Sequence, residues 1–71
     1  MSIGENIKSF RESKGLTQAQ LAEQLGVDQS YIAKVEKSVR SPTVMFVEAT
    51  AKTMGCTLDE LLGYGTPTGT A

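Results

Sequence analysis

LAEQLGVDQSYIAKVE, residues Leu21 to Glu36, ends one good helix pattern and begins another within three residues. Leu21, Ala22 and Leu25 recur at the spacing of one helix face. Gly26 permits the positive φ angle of a sharp stop. Asp28 is a residue type that opens a new helix, and Tyr31, Ile32 and Val35 follow, with 32 and 35 on one face. A chain that needed only a packed core would run one longer helix through this stretch. Instead the second helix starts afresh and carries Gln29, Ser30 and Lys34 on its outer side. Ala22 puts only a methyl group where the two helices meet, so a short turn can set them at a steep angle. The order and spacing specify a helix-turn-helix over about residues 17–36.

The flanking sequence predicts three more helices. Ile3, Ile7 and Phe10 recur at helical spacing, which places helix one at about residues 3–14, with Gly15 as its left-handed stop. Thr17 with Gln20 three residues later is a capping-box pair at the start of helix two. Ser41-Pro42-Thr43 punctuates a loop, and Ser41 or Thr43 is placed to cap helix four. The inner stripe of helix four is expected to be Val44, Val47, Ala51 and Met54, stopped by Gly55. Met45 and Phe46 stand beside that stripe, and an exposed Phe46 would mark an interface. Thr57 caps a short fifth helix, TLDELL, whose apolar residues are Leu58, Leu61 and Leu62. The expected architecture is all-α, a compact five-helix domain over residues 1–62. GYGTPTGTA, residues 63–71, is too rich in Gly, Thr and Pro to pack a core and reads as a flexible tail.

Composition removes several classes of function. The chain has 71 residues, one cysteine and no histidine. Cys56 has no partner for an internal disulfide and no histidine base to activate it, so it reads as a small packing residue. No metal-ligand cluster, glycine-rich phosphate loop or paired-carboxylate signature appears, and neither an enzyme nor a metal or other cofactor is expected. No apolar run approaches the ~18 residues that cross a bilayer, and no signal-peptide layout opens the chain. A cytoplasmic, nucleoid-associated protein without membrane contact is the expectation.

The region FRESKGLTQAQLAEQLGVDQSYIAKVEKSVRSPTVMFVEATAKTMGCTLDELL resembles the DNA-binding domain of lambdoid phage repressors and Cro proteins, within the xenobiotic-response-element family of bacterial and phage regulators. Its most specific pieces are GLTQAQLAEQLGV, SYIAKVE and the spacing from Pro42 to Gly55 ahead of LDELL. The resemblance implies a third helix in the major groove of double-stranded DNA and a second helix across the backbone. It makes Gln29, Ser30, Ala33 and Lys34 the base-reading set. Chemically, Gln29 at the helix tip matches the donor and acceptor of an adenine edge, Ala33 a thymine methyl, and Lys34 a guanine or a phosphate. Gln18 opens helix two, where free N–H groups favour a phosphate, and its amide could equally serve as a local cap. Two readings of Tyr31 stand, a hydroxyl directed at a phosphate and a half-buried core aromatic. Lys37, Arg40 and Ser41 complete the expected backbone contacts.

The net charge of −1 does not advertise a nucleic-acid binder, but its distribution does. Between residues 29 and 41 lie Lys34, Lys37 and Arg40 against only Glu36, whereas acids stand at 5, 12, 23, 48, 59 and 60. The resemblance implies a partly buried ion pair between Arg11 and Glu36, which would leave that face basic. Ser38 stands where the family usually has glycine, at a strain of roughly 1 kcal/mol if the backbone is left-handed there. One such domain covers one half-site, so a homodimer on a near-palindromic operator is expected, with Leu58, Leu61, Leu62 and Tyr64 as possible contacts. Leu58 and Leu61 could instead simply finish the core. The reading is a transcriptional repressor without a small-molecule ligand. Its alternatives are a protein-interaction module, such as the antitoxin of a toxin pair, and the N-terminal domain of a longer repressor.

Overall fold

The computed structural model describes residues 2–63 as five helices: α1 (Ile3–Ser13), α2 (Gln18–Leu25), α3 (Gln29–Glu36), α4 (Val44–Met54) and α5 (Leu58–Leu62). No strand occurs among the described residues. Local chemistry sets most of the boundaries. Thr17 Oγ1 accepts from the Gln20 N–H at 3.0 Å while Gln20 Oε1 accepts from the Thr17 N–H at 2.8 Å, a closed capping box. The same reciprocal pair opens α1 at Ser2 and Glu5 and α5 at Thr57 and Glu60. Thr43, not Ser41, caps α4 through the Phe46 N–H. Asp28 holds the N-cap position of α3, but its carboxylate makes no capping hydrogen bond.

The helix ends follow one scheme. Gly26 has φ 71° and donates its N–H to the Glu23 carbonyl, while the Val27 N–H reaches the Ala22 carbonyl. This Schellman closure turns the chain sharply into α3. α3 ends the same way around Ser38, at φ 62°: its N–H reaches Val35 O at 3.0 Å, and the Val39 N–H reaches Lys34 O at 2.9 Å. The left-handed conformation therefore persists without glycine, at a strain of about 1 kcal/mol. A hydrogen bond between the Ser38 and Ser2 hydroxyls, 3.1 Å apart, ties this strained turn to the start of α1.

Ile7, Leu21, Ile32 and Leu61 are fully buried at the centre, with Ala22, Val35, Phe46, Val47, Ala51 and Met54 around them. Burying each large aliphatic side chain stabilises the fold by about 1.5–3 kcal/mol before conformational entropy is counted. The expected α4 stripe needs correction. Val44 opens the helix and is 67% exposed, while the buried set is Phe46, Val47, Thr50, Ala51 and Met54. The inner face is therefore rotated towards Phe46, and only Met45 of the flanking apolar pair faces outward. Thr50 tolerates full burial because its hydroxyl donates to the Phe46 carbonyl at 2.8 Å.

Two α1 residues lock the arrangement. A Cβ on Gly4 would lie 2.1 Å from the Val35 carbonyl oxygen, so only glycine lets α1 approach the end of α3 this closely. Buried Asn6 donates from Nδ2 to the Leu61 carbonyl at 2.9 Å, which joins α5 to α1. α3 is thereby fixed along its inner face while Gln29, Ser30, Lys34 and Lys37 remain exposed.

Candidate nucleic-acid interface

The inner residues of α3, Ile32 and Val35, anchor it to the core, so the opposite side must face outward. Gln29 and Ser30 occupy its exposed first turn, Lys34 is exposed one turn later, and Ala33 is half-buried between them. Lys37 at the C-cap and Arg40 and Ser41 in the following loop are exposed as well. Lys37 lies within the Schellman turn that closes α3, and Arg40 and Ser41 follow directly from it.

Behind this surface lies a buried polar cluster. Arg11 Nε donates to Glu36 Oε2 at 2.6 Å and Arg11 Nη2 to Glu36 Oε1 at 3.1 Å, a two-pronged pair. Its Nη1 donates to the Leu16 carbonyl at 2.7 Å, tying the α1–α2 turn to the same guanidinium. The hydrogen bond to Glu36 outweighs desolvation and raises the pKa of Arg11 above its ordinary value, which keeps the guanidinium charged in its buried position. Gln18 is half-buried and donates from Nε2 to Glu36 Oε1 at 3.0 Å. Three helices thus converge on one carboxylate. The Gln18 amide still has a second N–H, at the start of α2, that this bond does not use.

With Glu36 neutralised by Arg11, the outer face of α3 and its loop present Lys34, Lys37 and Arg40 against Asp28. Such a face can hold phosphates through its cations while Gln29 and Ser30 reach base edges. Tyr31 is half-buried. Its ring meets Phe46 edge-to-face with centroids 4.9 Å apart, and the Arg40 guanidinium lies over it at 5.5 Å. Neither contact, nor the Gln18–Glu36 bond, was visible in the spacing of residues, because each joins positions that only the tertiary fold brings together.

An apolar groove of about 270 Å³ is lined chiefly by Ile3, Pro42, Val44, Val47, Leu58 and Leu62. Leu62 is 38% exposed and Leu58 half-buried. Leu61 is fully buried and cannot serve as a surface contact, which corrects its place in the expected dimer set. Tyr64 lies outside the described residues. Cys56 is half-buried, and burial, helped by nearby Glu60, pushes its thiol pKa up. Among the described residues no cluster of metal-ligand side chains occurs, and no helix is long and apolar enough to cross a membrane.

Comparison with known proteins gives a consistent result. A helix-turn-helix family profile matches residues 7–61. The immunity repressor protein of Bacillus phage phi105 is 35% identical over 66 residues, which cover 93% of this chain and 46% of that protein. The transcriptional regulator SinR of Bacillus subtilis is 33% identical over 61 residues, 84% of this chain and 55% of SinR. The chain thus spans about half the length of these two relatives. The crystal structure of SinR in complex with DNA superposes with a TM-score of 0.79 at 33% identity, covering 84% of this chain and 97% of that one. The P22 c2 repressor in complex with a synthetic operator superposes with a TM-score of 0.80 at 31% identity, covering 87% of this chain and 94% of that one. The chain belongs to the phage-repressor-like helix-turn-helix family.

Proposed function

We propose that this protein is a sequence-specific transcriptional regulator of double-stranded DNA, a repressor rather than an enzyme, acting in the cytoplasm at the nucleoid. In this reading α3 enters the major groove. Gln29, Ser30, Ala33 and Lys34 read base edges, while Gln18, Lys37, Arg40 and Ser41 hold the backbone. The observation that carries the reading is the Arg11–Glu36 pair, which removes the one acid of residues 29–41 and leaves an exposed basic face. Further support comes from the two similar structures, each of a protein bound to DNA.

A single α3 spans one half-site, so the proposal includes a homodimer on a near-palindromic operator. Leu58 and Leu62, joined by exposed Val44, are the proposed contact with the second copy. Fluorescence-anisotropy titration of a labelled duplex across a salt series tests the DNA-binding claim. Affinity should fall steeply with salt, and Lys37→Ala should reduce the logarithmic slope by about 0.9. Lys52→Ala, outside the proposed surface, should leave the slope unchanged. Salt-independent binding, or equal effects of both substitutions, would overturn the assignment.

A further inference from the structure

We infer that Tyr31 serves DNA binding through the face of its ring, as a positioning residue that holds Arg40 in place for a phosphate. This rests on the DNA-binding reading above and goes beyond it by assigning Tyr31 a role other than a phosphate contact.

The geometry forms a relay of three side chains from the core to the surface. Phe46 is buried on α4 and fixed by its helix. The Tyr31 ring packs against it at 4.9 Å with an interplanar angle of 87°, the edge-to-face arrangement that aromatic quadrupoles favour. The Arg40 guanidinium sits 5.5 Å from the centroid of the Tyr31 ring, within range of a cation–π attraction. The Arg40 backbone is held as well, because its main-chain N–H shares the Lys34 carbonyl that closes α3, at 3.3 Å. No carboxylate pairs with Arg40 among the described residues, so its charge is not spent within this part of the chain.

An exposed arginine ordinarily samples many rotamers, and binding a phosphate would freeze them. Holding the guanidinium on an anchored ring removes part of that loss before DNA arrives, worth about threefold to tenfold in affinity. A guanidinium held over a ring keeps N–H donors that can meet a phosphate. The ring carries this function and the hydroxyl does not.

The test is a double-substitution cycle on the full chain, titrated against a duplex that the wild type has selected, with melting temperatures measured alongside. Tyr31→Phe should bind within about twofold of wild type. Tyr31→Leu should weaken binding about threefold to tenfold in the wild-type background and have no further effect in Arg40→Ala. Arg40→Ala should lower the logarithmic salt slope by about one, whatever its effect on melting. Equal loss in Tyr31→Phe and Tyr31→Leu would assign the hydroxyl to a phosphate and overturn the inference. Loss in Tyr31→Leu that persists in Arg40→Ala would reduce Tyr31 to a packing residue and overturn it as well. A wild type that retains no duplex would overturn the DNA-binding reading itself.

Discussion

Removing Arg11 should damage this fold more than its single side chain suggests. The side chains of Arg11 and Glu36 are 9% and 2% exposed, so solvent screens the pair little. In Arg11→Ala the Glu36 carboxylate keeps only the Gln18 amide as a donor, and the Leu16 carbonyl loses its partner. Breaking one side of a buried pair costs about 3–5 kcal/mol, because the remaining charge is stranded. A domain of this size holds a total of roughly 4–10 kcal/mol, from about 0.05–0.15 kcal/mol per residue. With each kcal/mol shifting the melting temperature by about 4–8 °C, Arg11→Ala should melt at least about 12 °C lower than wild type. Lys14→Ala, at an exposed position on the same segment, should change stability by no more than about 0.5 kcal/mol. The decisive comparison is Arg11→Ala/Glu36→Gln. Because glutamine carries no charge to strand, the double variant should be more stable than Arg11→Ala alone. Thermal and urea unfolding by circular dichroism measure all four proteins. Two results would refute the reasoning: Arg11→Ala indistinguishable from Lys14→Ala, or a double variant no more stable than Arg11→Ala alone.

Gly4→Ala should destabilise by about 1–3 kcal/mol by urea unfolding, because the new methyl meets the Val35 carbonyl oxygen, although alanine is the better helix former. A neutral or stabilising result would mean that α1 and α3 do not approach so closely. Ser38→Gly should raise stability by about 1 kcal/mol, since glycine takes φ 62° without the serine strain. A loss would show that the hydroxyl contact with Ser2 outweighs that strain. Gln29→Ala should relax base preference at one position of each half-site by about 1–3 kcal/mol while leaving the melting temperature unchanged. Measured against all four bases at each position, an unchanged preference would remove Gln29 from the base-reading set.

Much of the fold was legible because the helix ends are written in short-range chemistry. Thr17 with Gln20 and the stops at Gly26 and Gly55 act within a few residues of themselves, so their types suffice to locate the boundaries. α3 likewise starts where the residue type of Asp28 predicts, even though Asp28 makes no capping bond. What misled was periodicity at an element's edge. Val44 shares the spacing of Val47, Ala51 and Met54, yet it opens α4 and stays exposed, while Phe46 and Thr50 turn inward.

Buried polar residues were harder still. Asn6 and Thr50 look like surface residues in sequence: the Asn6 partner, the Leu61 carbonyl, is brought in by another helix, and Thr50 satisfies its hydroxyl on the Phe46 carbonyl of its own helix. Gly4 offered a faint signal, since glycine inside a helix costs about 1 kcal/mol relative to alanine and needs a reason. That reason, the nearby Val35 carbonyl, lies on another helix. The surface residues of α3 could be named from position alone. How Gln18, Tyr31 and Arg40 are held depends on Glu36 and Phe46, which belong to α3 and α4.

The central claim, a dimeric reader of a specific duplex, is tested most directly by selection from a random double-stranded library. The purified chain would be incubated with the library at moderate salt and the retained duplexes sequenced. Two related half-sites in inverted orientation are expected, with centres about one helical turn apart. Enrichment of an isolated half-site would contradict the homodimer, and no enrichment even at low salt would contradict DNA recognition altogether.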